Sequence, residues 1–176
     1  MDYDRRLLMI KKVTGVFVPV LIAAAIIGIW FMKHNEKKAP SETADDFALE
    51  AAQVNLAQWK SYGLPMMIVF GSDSCTDCVE MAPLLKALHS AYQGKALIKY
   101  LNTGKNPDAG KGFPLRELPA AFFYGKDGKP FVPRDPEAMQ MTLYSEKKTG
   151  THVYTAHYGG MAEEQIKDVL REMGVK

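Results

Sequence analysis

The longest apolar stretch of the chain, Val13–Met32, reads "VTGVFVPVLIAAAIIGIWFM" and carries no charged residue. About twenty apolar residues at roughly 1.5 Å each span the hydrocarbon core of a bilayer, about 30 Å, so this run predicts a transmembrane helix. Gly15, Pro19 and Gly28 are tolerated in such helices, and Trp30 and Phe31 sit where aromatic rings favour the interface. A cleaved secretory signal would have a shorter apolar core and a small-x-small end, whereas this run ends in the bulky "IGIWFM". A charged stretch, "KHNEKKAPS", follows as a tether.

Beyond the tether the pattern becomes that of a water-soluble domain. Thr43 with Asp46 resembles a helix cap, and Phe47, Ala51, Val54 and Trp59 form an approximate helical stripe that Gly63 and Pro65 end. "LPMMIVF" (Leu64–Phe70) is a continuous apolar run of strand length, as in a strand covered on both faces. Cys75 to about Tyr92 reads as a helix with Met81, Leu84, Leu85 and Leu88 inward and Pro83 inside it. "ALIKYL" (Ala96–Leu101) and "AAFFY" (Ala120–Tyr124) read as strands, with a loop and one short helical turn between them. Phe131–Pro133 starts a further strand, and "MQMTLYS" and "THVYTAHY" flank the turn "EKKTG" as a hairpin. Met161–Met173 is an amphipathic helix with Ile166, Val169 and Leu170 inward, closed by Gly174. A helix joins the first two strands, so they pair in parallel; turns join the later ones, which pair antiparallel. The expected architecture is α/β, a mixed central sheet flanked by helices.

Composition changes this picture little. The 176 residues are 47% hydrophobic and 24% charged, with a net charge of +2, which suits one globular domain plus an appendage. No concentrated basic face speaks for nucleic acid. Four basic residues precede the apolar run (Arg5, Arg6, Lys11, Lys12) and three follow it (Lys33, Lys37, Lys38). This small positive-inside bias places residues 1–12 in the cytoplasm, 13–32 in the membrane lipid, 33–43 as tether, and 44–176 as a domain on the extracytoplasmic side of the cell membrane.

The candidate chemistry is concentrated in "GSDSCTDCVEMAP". Cys75 and Cys78 are the only two cysteines in the chain. With Cys75 at the N-cap of its helix, Cys78 lies one turn on, so a disulfide can close between them. The free N–H groups and positive dipole end of the helix favour thiolate on the first sulfur. Cys75 would then attack a substrate disulfide and Cys78 would resolve the mixed disulfide. Three other readings compete. A structural zinc site needs four ligands, and His34, His89, His152 and His157 show no paired ligand spacing. A purely structural disulfide would close too short a loop to stabilise much. Inert buried thiols fit poorly with the polar flanks. No metal and no cofactor is called for by these residues. Met139, Met141 and Met161 read as core filler rather than as copper ligands.

Context favours the redox reading. "LPMMIVFGSDSCTDCVEMAPLLKAL" resembles the thioredoxin family: a buried strand, a polar turn, C-x-x-C, and a helix with proline five residues after the second cysteine. "ALIKYLNTGKNPDAGKGFPLRELPAAFFYGKDGKP" and "YGGMAEEQIKDVLREMG" continue the similarity, which covers roughly Phe47–Gly174 apart from an insertion at about 134–154. The resemblance implies a thioredoxin-like fold behind the N-terminal transmembrane helix. It implies that Pro119 is cis, lies beside the disulfide and blocks metal access, and that the Leu118 backbone positions an extended substrate. The chain departs from the family at Ser74, where tryptophan is usual, and at Val69 and Tyr100, where an aspartate and a lysine are usual. Between the cysteines stand Thr76 and Asp77; Asp77 would raise the thiol pKa by like-charge repulsion and favour a reductant. The resulting expectation is a membrane-anchored thiol–disulfide oxidoreductase that reduces protein disulfides, drawing electrons from a transmembrane thiol carrier. The alternative is a non-catalytic tethered binding module or metal-delivery protein. The 134–154 insertion is either a partner-binding element or a surface hairpin.

Overall fold

The apolar run ahead of the cysteines becomes the middle of a sheet. The structure is a computed structural model that describes residues 46–176, so the expected membrane span, the tether and the Thr43 cap lie outside the described residues. Among the described residues no helix is long and apolar enough to cross a membrane.

Strand β1 (Met66–Gly71) is buried along its whole length. It pairs in parallel with β2 (Leu97–Asn102) and antiparallel with β3 (Ala120–Tyr124). A hairpin of β4 (Met141–Ser145) and β5 (His152–Tyr158) completes the sheet, with β5 against β3, so the strand order is β2-β1-β3-β5-β4. Helices α1 (Leu56–Ser61), α2 (Thr76–Ala91) and α3 (Glu163–Glu172) surround it, and a 3₁₀ turn (Pro107–Gly110) follows β2.

Alternation along β1 builds two cores, one on each face. Met67 and Val69 join Met81, Leu85 and Leu88 of α2 and Ile166, Val169 and Leu170 of α3. Met66, Ile68 and Phe70 join Trp59 of α1 and Phe122 of β3. In that second core Phe113, from the loop before β3, sits 4.9 Å from both Phe70 and Phe122 and 5.3 Å from Tyr154, ring centre to ring centre. The loop is therefore anchored by aromatic packing rather than by regular structure.

Two of the predicted elements are different. The long first helix is only Leu56–Ser61, started by Asn55, whose side chain accepts from the Gln58 N–H. The residues before it pair with a strand instead. Glu50 forms a parallel bridge with Tyr100, Tyr100 N–H donates to the Leu49 carbonyl (2.7 Å), and Ala51 N–H donates to the Tyr100 carbonyl (2.9 Å). The outer edge of β2 has backbone groups to satisfy, and this demand overrides a weak helical stripe. Asp46 caps no helix; it accepts hydrogen bonds from Tyr62 Oη (2.8 Å) and from the Gln58 amide. Phe131–Pro133 is not a strand either. Pro130 and Pro133 have no N–H to give a ladder, and the segment is held by a single bridge, Tyr124 to Pro130, and by Phe131 N–H donating to the Phe123 carbonyl. The 134–154 segment, for which a surface hairpin was one reading, supplies the edge strand of the main sheet and the first residues of β5.

Candidate active site

The site is assembled where β1 ends. After Gly71 the chain turns through Ser72, Asp73 and Ser74, and the turn is tied from several sides. Cys75 N–H donates to the Ser72 carbonyl (3.1 Å), and Ser74 N–H donates to Ser72 Oγ (3.3 Å). Asp73 accepts from the Asn102 amide (2.7 Å) and pairs with Lys105 (3.1 Å). Both partners of that ion pair are exposed, so it orients the turn more than it stabilises it.

Cys75 is the N-cap of α2 with extended backbone angles, as its position in the sequence predicts, and its sulfur accepts from the Cys78 N–H at 3.2 Å. The two cysteines are joined as a disulfide with their Cα atoms 5.2 Å apart. They are not equivalent: Cys75 is half-buried, whereas Cys78 is only 2% exposed. Cys75 is therefore the more accessible of the two. Thr76 and Asp77 are exposed on the same turn. Met81, Leu85 and Leu88 hold α2 to the sheet as expected, while Leu84 is only half-buried at the margin. Pro83 lies inside the helix; lacking an N–H, it leaves the Val79 carbonyl without its helical donor.

Pro119 reaches the same end of the sheet from β3. The Leu118–Pro119 bond is cis, as the resemblance implies. Ala120 is in register with Phe70, which places Pro119 level with the end of β1. The buried Pro119 offers its carbonyl to Gly159 N–H (2.8 Å), and Leu118 packs half-buried against the second core. The Gly159–Gly160 turn closes the third side: a Cβ on Gly160 would lie 3.9 Å from Asp77 Cβ. The C-x-x-C turn, Pro119 and the glycine turn thus meet at one sheet end, although they are far apart in sequence.

Two cavities flank the pair. One of about 230 Å³ is lined by Asp77, Glu80, Met81, Gly160 and Met161. The other, about 370 Å³, is lined by Cys78, Val79, Glu50, Asp73, Lys86 and Tyr100. A larger polar groove of about 540 Å³ runs along β2 past Trp59 and Lys99 and does not reach the sulfurs. Tyr100 is in register with Val69, so two of the three positions where the chain departs from its family lie side by side beneath the site. Burial holds the Tyr100 phenol above its usual range, helped by the carboxylates of Asp73 and Glu50. The adjacent Lys99 points to the opposite face, where it is buried, donates to the Ala48 carbonyl (2.6 Å) and lies over the Trp59 ring.

Sequence reasoning missed Glu50, Gly71 and the cavity that holds Tyr100 beside Cys78. The signal for Gly71 was a glycine directly after a buried strand; a Cβ there would lie 2.6 Å from Tyr100 Oη. Among the described residues no group of three or more His, Cys, Asp or Glu is placed to hold a metal. His89 bonds the Ile98 carbonyl, and His152 bonds the Tyr154 carbonyl and Thr155.

A strand that runs into a polar turn, a disulfide across the first turn of a helix, and a cis-proline at the same end of the sheet define a thioredoxin-like α/β protein. The thioredoxin family model matches residues 45–143, more than half of the chain, and the chain belongs to that family. Thioredoxin 1 of Chlorobaculum tepidum is 33% identical over 61 residues, covering 35% of this chain and 60% of that protein. Thioredoxin of Synechocystis is 28% identical over 61 residues, covering 35% and 57%. Thioredoxin of Chlorobaculum thiosulfatiphilum is 30% identical over 64 residues, covering 36% and 58%. The chain thus spans less than two thirds of the length of these relatives.

Proposed function

We propose that this protein is a membrane-anchored thiol–disulfide oxidoreductase that reduces protein disulfides through the Cys75–Cys78 couple. The carrying observation is the asymmetry of the pair: a half-buried cysteine at a helix N-terminus, bonded to a fully buried one a single turn away. In the reduced form the Cys75 thiolate attacks a substrate disulfide and expels one substrate thiolate. Cys78 then attacks Cys75, the second substrate thiolate leaves, and the Cys75–Cys78 bond re-forms. The substrate gains two electrons and the dithiol loses them, so no cofactor is required. Pro119 and the Leu118 backbone position the substrate segment, and Thr76 and Asp77 tune the couple. The uncharged run 13–32 supports an anchor, and the flanking basic residues support an extracytoplasmic domain fed by a transmembrane thiol carrier.

Replacing Cys78 with Ser tests the reading. The variant is expected to accumulate a covalent mixed disulfide on Cys75, visible as an added mass that a reductant removes. Absence of any trapped species would favour the tethered binding module. The reduction potential then decides direction: a value near about −270 mV marks a reductase, and one near about −120 mV a disulfide donor.

A further inference from the structure

Resolution of the mixed disulfide requires Cys78 as thiolate, because the thiol is a poor nucleophile. Cys78 is buried, so its proton needs a route. Strand β1, which runs beneath it, offers none: Met66 to Gly71 contains no titratable side chain. The route must come from the cavity that Cys78 shares with Tyr100, Glu50, Asp73 and Lys86.

Tyr100 is fixed there by its backbone. It pairs with Val69 on one side and bridges Glu50 on the other. Its ring lies across Gly71, so closely that any side chain at 71 would collide with the phenol oxygen. Among the described residues no side chain hydrogen-bonds that oxygen, and the cavity it lines is also lined by Cys78 and Glu50. Glu50, directly alongside in the bridge, is exposed and can pass a proton to water.

We infer that the Tyr100 hydroxyl relays the proton of Cys78 to the Glu50 carboxylate during resolution. The inference rests on the oxidoreductase reading. Cys78 S–H gives its proton to Tyr100 Oη while the Tyr100 O–H proton passes to Glu50. The Cys78 sulfur attacks Cys75, the Cys75–substrate S–S bond breaks, and the substrate leaves as thiolate with the electron pair. The phenol ends neutral, as its raised pKa requires, and the proton leaves through the exposed carboxylate to water. Asp73 and Lys86 border the same cavity, and Asp77 and Glu80 lie on the other side of the helix turn. Asp73 is already held by Asn102 and Lys105, which makes Glu50 the better acceptor.

The test uses the reduced full chain and dithiobis(nitrobenzoate), which releases one coloured thiolate when Cys75 attacks and a second when Cys78 resolves. The two cysteines are the only ones present, so the phases are assignable. Tyr100→Phe keeps the ring over Gly71 and removes only the oxygen. At about pH 7 it is expected to slow the second phase about a hundredfold, the low end for a positioned acid–base group, and leave the first unchanged. The deficit is expected to narrow as pH rises, because hydroxide can then take the proton in place of the phenol. Glu50→Gln is expected to slow the same phase. Unchanged resolution in Tyr100→Phe, or equal slowing of both phases at every pH, would overturn the relay while leaving the oxidoreductase reading intact. A wild-type protein that never releases the second thiolate would overturn both.

Discussion

Cys75 carries out two separable tasks, capping a helix through its sulfur and joining that sulfur to Cys78. The residue type is dictated by the chemistry, the position by the backbone; a single sequence pattern announced both. Tyr124 shows the opposite situation. It sits in the middle of an apolar strand, and its hydroxyl is buried without a hydrogen-bond partner. An unsatisfied buried hydroxyl destabilises the fold by about 1–3 kcal/mol. Tyr124→Phe is therefore expected to raise stability by about 1 kcal/mol in urea denaturation, and a clear loss would contradict the burial argument. Its pH dependence has a definite sign. Burial raises the phenol pKa in the folded chain above the unfolded value of about 10. The folded state then keeps a proton that the unfolded state releases, so stability is complete below about pH 10 and falls as pH rises beyond it. Tyr158, also raised chiefly by burial, adds to the same decline. The alkaline loss should be shallower in Tyr124→Phe.

At the scale of elements, α2, β3 and α3 were legible because each agrees with itself locally. The apolar spacing of α3 is strict, and its end is a Schellman motif: Gly174 has φ +86°, its N–H bonds the Arg171 carbonyl, and Val175 N–H bonds the Leu170 carbonyl. Its start is weaker, since Ala162 is the N-cap and offers no side-chain acceptor. Ala162→Ser, with Gln165 at the third helical position, creates a capping box. The variant is expected to gain about 1 kcal/mol, read as a higher melting temperature; no change would mean that the first turn is already satisfied. Helix α1 was not legible at its true length. A stripe of four apolar residues over Phe47–Trp59 fits a helix, but it fits equally a segment that lies along a sheet edge and turns into a short helix at Asn55. Periodicity cannot separate these, because the deciding partner is half a domain away.

At the scale of the whole molecule, the sheet edges are handled differently. One edge is β4, which leaves Leu143 partly exposed beside the charged Glu146–Lys148 turn. The other is β2, and it is covered by the backbone of Leu49–Ala51. Ala51→Pro removes the N–H that donates to the Tyr100 carbonyl, so it should uncover that edge. The expected result is a loss of about 2 kcal/mol and faster amide exchange around Ala51 and Tyr100, with the β3–β5 pairing unaffected; unchanged exchange at Tyr100 would show that the cover is dispensable. The same pairing carries Glu50 to the cavity beside Cys78, so edge protection and the site share one contact. The sequence alone determined the periods of burial, the buried strand running into a polar turn, and a cysteine pair at the start of a helix, because those depend on neighbours within a turn or two of chain. Only the tertiary structure decided that residues 49–51 abandon a helix for β2, that β5 rather than β4 lies against β3, and that Tyr100 and Glu50 share a cavity with Cys78. Those outcomes depend on satisfying backbone groups and filling space between segments tens of residues apart, which no local pattern records.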